Sequence, residues 1–141
     1  MIRPSHRHRA TSGGDRARPA HDERGSAELV VAAPLLLLLI LMVVQFALFE
    51  HASQVAQSAA AQALAVTRTA GADVTSGQTE AQSLLDNVGG GVLVDPTVSV
   101  TRSATVATVT VTGSAEAVVP FLHLPVRATS SGPVERFVGG P

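Results

Sequence analysis

The side chains best suited to chemistry are few in this chain, and they do not cluster. His51 and His123 fall on different elements with no carboxylate partner close in sequence. They read as a membrane-surface histidine and a loop histidine. His6-Arg7-His8 has the spacing of a ligand pair but sits in a basic tail, where a solvated role is the expectation. Cys is absent, which removes disulfides, thiolate metal sites and Cys nucleophiles. Serines and threonines are plentiful, yet none stands in a G-x-S-x-G elbow. No acidic cluster has calcium-loop spacing. Gly89-Gly90-Gly91 is not followed by Lys-Ser/Thr, so it is no phosphate loop, and Asn87-Val88-Gly89 is no glycosylation acceptor. A catalytic site needs a positioned acid, base or nucleophile in a cleft. No catalytic residue, cofactor-binding residue or metal ligand is assigned, and an enzyme is not expected.

Composition narrows the class further. Of 141 residues, 45% are hydrophobic, but only 3% are aromatic and 15% are charged. The apolar residues are mostly Ala and Val plus one dense block, which argues against an ordinary single-core soluble enzyme. A formal net charge of −1 disfavours a nucleic-acid partner. All ten basic residues are Arg, as GC-rich bacterial codon usage would give.

The dense block is Leu29–Phe49, LVVAAPLLLLLILMVVQFALF. As a helix it reaches roughly 30 Å, the thickness of a bilayer core. Fifteen of its 21 residues are Leu, Ile, Val or Phe. Their summed insertion term is roughly −5 to −9 kcal/mol, which one Gln and one Pro do not cancel. Glu28 and Glu50 bracket it. Residues 1–24 carry six Arg against three acids, and residues 50–141 carry four Arg against seven acids. Positive charge stays inside, so the amino terminus is expected in the cytoplasm and the carboxyl-terminal part outside. A cleaved secretory signal is the competing reading, but its apolar region would span ~7–15 residues and end in a small-x-small site.

Three regions follow from this pass. Residues 1–25 read as a disordered basic leader. Residues 26–70 read as the transmembrane helix (core 29–49) and its Ala-rich helical extension, with a kink expected at Pro34 and an end near Gly71. On the extension, Ala52, Ala56, Ala59, Ala63 and Val66 recur on one face with small side chains. Ala52, Ala56 and Ala60 also allow close backbone approach. This face packs either on the chain's own outer domain or on neighbouring copies.

Residues 71–141 read as a small α+β extracytoplasmic unit. A second helix is expected at Gln78–Val88, capped by Thr75 or Ser76 and stopped by the triple Gly. Thr97–Thr101 and Thr105–Thr112 alternate Val and Thr, the pattern of a hairpin. Ser114–Val119 is expected as a third strand ended by Pro120, with a short strand near Val126–Thr129. Phe137 and Val138 are expected as a last docking contact. The fold class is α+β: a long amino-terminal membrane-spanning helix, its Ala-rich extension, and a small antiparallel sheet.

The run Glu23-Arg24-Gly25-Ser26-Ala27-Glu28-Leu29-Val30-Val31-Ala32-Ala33-Pro34, with the Leu run and Gln45-Phe46 behind it, resembles the start of TadE-like pseudopilins. These are TadE/TadG-type minor subunits of Flp (tight adherence, Tad) pilus assembly systems. The resemblance covers residues 22–70 well and the remainder in style. It implies a prepilin peptidase cut after Gly25, leaving Ser26 as the new amino terminus. It also implies that Glu28 is the carboxylate that pairs with that terminus and sets subunit register. In pilin-like proteins this Glu is usually fifth after the cut, and here it is third. Two residues shift it by ~3 Å and ~200° along a helix. On the residues alone, Gly25 is equally a helix-starting glycine, with Ser26 as cap and Glu28 complementing the dipole.

The resemblance therefore implies a membrane-anchored assembly component of a Flp pilus or related type II/IV secretion system. Its partners would be the lipid bilayer, other pilin, pseudopilin or Tad secretion-apparatus subunits, and a prepilin peptidase. The other class kept open is a signal-anchored or secreted envelope binding protein with a small β-rich module.

Overall fold

The computed structural model describes residues 21–136, the side chains from Gly25 onward. The histidine pair His6/His8 and the docking contact at Phe137 and Val138 lie outside the described residues. The chain divides into two compact units, Met1–Leu35 and Leu36–Pro141. The described part of the first unit is helix. The second holds the remaining length of that helix, a shorter helix and a sheet.

Helix α1 runs from His21 to Arg68 and passes through Pro34 without a break in its assignment. It starts inside the segment read as a disordered leader, so residues 21–25 are helical. Pro34 costs one backbone bond, which the unbroken run of strong helix formers from Leu35 onward accommodates. The last helical residue is Arg68, and the chain turns at Gly71. Thr69 and Ala72 amides close a turn on the Val66 and Thr69 carbonyls, and Gly71 supplies the positive φ of 82° that the turn needs.

Helix α2 spans Val74–Val88. It opens four residues earlier than the Gln78 expected, and its cap is Asp73, not Thr75 or Ser76. The Asp73 carboxylate accepts from the Ser76 amide at 2.8 Å, which satisfies one orphan donor of the first turn. Gly77 lets α2 lie against α1: a Cβ there would collide with the Thr67 hydroxyl and stand 3.2 Å from the Ala63 carbonyl oxygen.

The sheet has three antiparallel strands in chain order: β1 (Leu93–Arg102), β2 (Val106–Ala115) and β3 (Leu124–Pro133). The hairpin expected from the Val/Thr alternation is β1–β2, with both strands longer than their patterned cores. The third strand is not Ser114–Val119, because β2 ends at Ala115 and the chain then loops. It is Leu124–Pro133, longer than the short strand expected there. Pro125 and Pro133 are tolerated because β3 is an edge strand.

Register fixes the two faces. Val100, Val109 and Ser130 stand side by side, as do Val98, Val111 and Ala128. That face is inward, with Ala107, Val109 and Val111 fully buried. The outer face is a row of hydroxyls, Ser99, Thr110 and Thr129 among them, and the last two bond across strands at 3.2 Å. The inward face, Ala81 and Leu85 of α2, and Ala52–Leu64 of α1 make one core built of Ala, Val and Leu.

Candidate functional site

The described residues that the sequence singled out lie on α1, and the candidate site is a set of surfaces on that helix and what holds to them. In the first unit, Gly25, Ser26 and Glu28 are exposed, and nothing lies within 4 Å of a Cβ placed on Gly25. Ser26 lies inside α1 and does not cap it, because the helix begins at His21. These three residues thus lie on the exposed surface of the helix.

In the second unit the apolar side chains of Leu36–Ile40 and Met42–Val44 are 41–63% exposed. A surface this greasy has no place in water. Among the described residues one helix is long and apolar enough to cross a membrane, Gly25–Arg68. The chain has the form of a single-pass membrane protein.

Further along, the small-residue face turns inward. Ala52, Ala56, Ala59 and Ala63 have no exposure at all, and Ala60 joins them, while Val66 is half-buried at the stripe's end. This face is occupied by the chain's own sheet and α2. Side chains of one carbon let the helix approach the Val-rich sheet closely, which is how a core almost without aromatics closes.

Two hydrogen-bond clamps fix the ends of this contact. At the membrane-proximal end is Gln45, 1% exposed although it belongs to the apolar block. Its Nε2 donates to the Glu116 carbonyl at 3.0 Å. Its Oε1 accepts from the Val118 amide at 2.8 Å and the Val119 amide at 3.2 Å. The amide group thus holds the loop between β2 and β3. At the distal end Arg102 of β1 donates to the Thr67 and Thr69 carbonyls at 2.9 and 3.1 Å, where α1 has run out of its own donors. Arg68 adds an ion pair of 3.9 Å to Glu135, whose amide bonds the Arg68 carbonyl. Gln45 to Thr67 spans about 33 Å of helix, and ten residues of strand also span about 33 Å. Helix α1 therefore runs the length of β2, antiparallel to it.

Gln45 was legible only as part of a familiar pattern, and its role in the fold was not. Its partners lie 71 to 74 residues away, and nothing local marks it.

His51 and His123 are exposed. His123, Asp95 and Glu116 border a shallow depression at the membrane-proximal end. No group of three His, Cys, Asp or Glu among the described residues could hold a metal ion. The Asp73 carboxyl is held below its ordinary value by the Ser76 amide hydrogen bond first and the Ser76 hydroxyl second.

No curated protein and no solved structure matches the chain. A family model does: residues 25–64, from Gly25 through the exposed apolar stretch and most of the buried Ala face, match the family described as TadE-like protein, and over that segment the chain is similar to that family.

Proposed function

We infer that the chain is a membrane-anchored, pseudopilin-like assembly component of a Tad (Flp) pilus or a related type II or type IV secretion system. It acts by contact rather than by catalysis. The amino terminus lies in the cytoplasm and the residues after Phe49 lie outside, as the arginines before the span and the acids after it favour. Its partners are the bilayer, pilin or pseudopilin subunits of the apparatus, and a prepilin peptidase.

One observation carries this reading. The TadE-like match begins at Gly25, and it takes in Glu28, the exposed apolar stretch and the helix that bears the folded domain. In this role Glu28 stands at the edge of the hydrocarbon, where a carboxylate is costly unless paired, and the new amino group at Ser26 is the pairing charge. A secretory cut beyond His51 is disfavoured, because it would strip Gln45 from the loop it holds.

The test is intact-mass measurement on membrane-extracted protein, from cells with and without their prepilin peptidase. The expected product begins at Ser26 only when the peptidase is present. A start beyond His51 would overturn the anchored reading. Pili assembled normally in cells lacking the protein would overturn the assembly role.

A further inference from the structure

The loop after β2 reads Glu116-Ala-Val-Val-Pro-Phe-Leu-His123: six uncharged residues between two polar ones. Three observations bear on what it touches. Gln45, which holds the loop, lies four residues, about 6 Å, inside the carboxyl edge of the apolar block at Phe49. At the same depth on α1, Phe46 is 63% exposed, so the surroundings there already accept an aromatic ring. At the loop tip the Leu122 amide bonds the Val119 carbonyl at 3.2 Å, with Pro120 and Phe121 as the central pair. Phe121 has φ +67° and is 96% exposed.

That turn position calls for Gly or Asn. A bulky residue held there in a strained backbone, with its ring in the open, gains nothing within the fold. Strain of this kind is sustained where the side chain is used. Val118, also exposed, extends the same apolar tip.

We propose that the β2–β3 loop is a second membrane contact, which seats Phe121 and Val118 in the outer headgroup–acyl boundary beside the spanning helix. The occupant is lipid because the loop continues the surface that α1 already presents at that depth. Aromatic rings favour this boundary, and apolar groups bury ~5–10 Å into it. Glu116 and His123 stay at the headgroup level. Acidic Asp95 and Glu116 border the same end, so apolar contact rather than attraction to anionic lipid carries the binding. The loop thereby fixes the height and tilt of the folded domain on the membrane. This rests on α1 spanning the membrane, and not on the pilus role.

The absence of Cys makes the test clean. Full-length Phe121→Cys, Val118→Cys, Leu38→Cys and Ser99→Cys are each labelled with an environment-sensitive fluorophore in phosphatidylcholine vesicles. Quenching is read with iodide in the water and with nitroxides placed high on the lipid chains for positions 121, 118 and 99, and near the chain ends for position 38. The expected result is several-fold stronger lipid quenching at 121 than at 99, with iodide quenching reduced to match. Position 118, which does not alter the strained residue, follows 121, and moderate salt changes neither. Readings at 121 and 118 equal to those at 99, with 38 quenched by lipid, would overturn the proposal and leave the anchor standing. Shielding from both quenchers would overturn it in favour of a protein neighbour. A label at 38 that lipid does not quench would overturn the anchor itself.

Discussion

Replacing Gln45 by Leu separates two accounts of this residue. If Gln45 were merely a tolerated blemish in an apolar span, Leu would improve the span and leave the loop untouched. The structure gives the opposite result for the loop. The side-chain amide meets one carbonyl and two amides of the Glu116–Val119 segment at 2.8–3.2 Å, and it is 1% exposed. Leu satisfies none of them. A backbone group that regains water after losing its partner costs about 0.5–1.5 kcal/mol, and one left dry costs about 1–3 kcal/mol. The loop is only partly buried, so the three groups together lose about 2–4 kcal/mol of local loop stability. Hydrogen exchange at Val118 and Val119 reads this directly. Local opening made easier by that amount speeds exchange by about 30-fold to 10³-fold. The assay is exchange of the 116–123 peptide in full-length protein held in lipid nanodiscs, with Phe46→Leu as the neighbour that touches none of these groups. Exchange in the Gln45→Leu variant within about twofold of the parent would refute the clamp.

Gly77→Ala should destabilise the chain by about 1–3 kcal/mol, because the new methyl meets the Thr67 hydroxyl and the Ala63 carbonyl oxygen; adding Thr67→Ala removes the first clash and recovers part of the loss. Thermal circular dichroism suits the comparison, since the chain has no Trp or Tyr, and equal midpoints for Gly77→Ala and the parent would contradict the close approach of α2. Arg102→Met should cost about 1–2 kcal/mol by leaving the Thr67 and Thr69 carbonyls to water at a half-exposed site, and a loss below ~0.3 kcal/mol in the same assay would count against the distal clamp. The Asp73 cap is pH-dependent in one direction: its folded carboxyl titrates below the ordinary 3.8, so its contribution is complete above that value and is lost as pH falls through the lower folded one. The Ser76 amide shift should therefore titrate with a midpoint under 3.8, and a midpoint at or above it would remove the cap from the account. Asp73→Asn keeps an acceptor and should abolish the titration.

What the sequence made legible is what depends on local pattern. The apolar block, the Ala-rich extension and the alternating Val/Thr hairpin each carry a period that a short window reveals. The misses have a shared cause, which is capture by distant groups. Ser114–Val119 has strand-like composition, but the Gln45 side chain takes the Val118 and Val119 amides that a ladder would need. Leu124–Pro133 has little strand composition, but it pairs along all of β2 and places its prolines on an open edge. Helix α2 begins early because Asp73 caps it, although Val74 and Thr75 are indifferent helix formers. Strand β1 reaches back to Leu93 past Pro96 through an irregularity in register, with Asp95 at a φ of 49°. For the site residues the limit is different. Gly25, Ser26, Glu28 and Pro34 can be named from a resemblance and located on the helix, but their use depends on partners outside the chain.

The burial of the Ala face changes what assembly can rest on. Ala52, Ala56, Ala59 and Ala63 are spent on the chain's own sheet and second helix, so they are closed to a neighbouring copy unless the domain lifts away. Beyond Glu50 and His51 at the membrane edge, what α1 leaves open outside the membrane includes Gln54, Gln57, Ser58, Ala61, Gln62 and Ala65. That face is polar and flat, able to form wet hydrogen-bonded contacts but with little apolar area to bury. The exposed Leu and Val side chains from Leu36 to Val44 lie in lipid, where apolar contact gains little from leaving the solvent and association must come from packing. Neither surface alone makes a strong interface. Subunits of this kind would associate through many weak lateral contacts, and a fixed register would have to come from a charge pair such as the one assigned to Glu28. That makes neutralising Glu28 the substitution that separates anchoring from assembly: Glu28→Gln should leave membrane insertion and the folded domain intact and abolish incorporation into the apparatus. Normal incorporation of the Glu28→Gln variant would show that register is set by the helix faces after all.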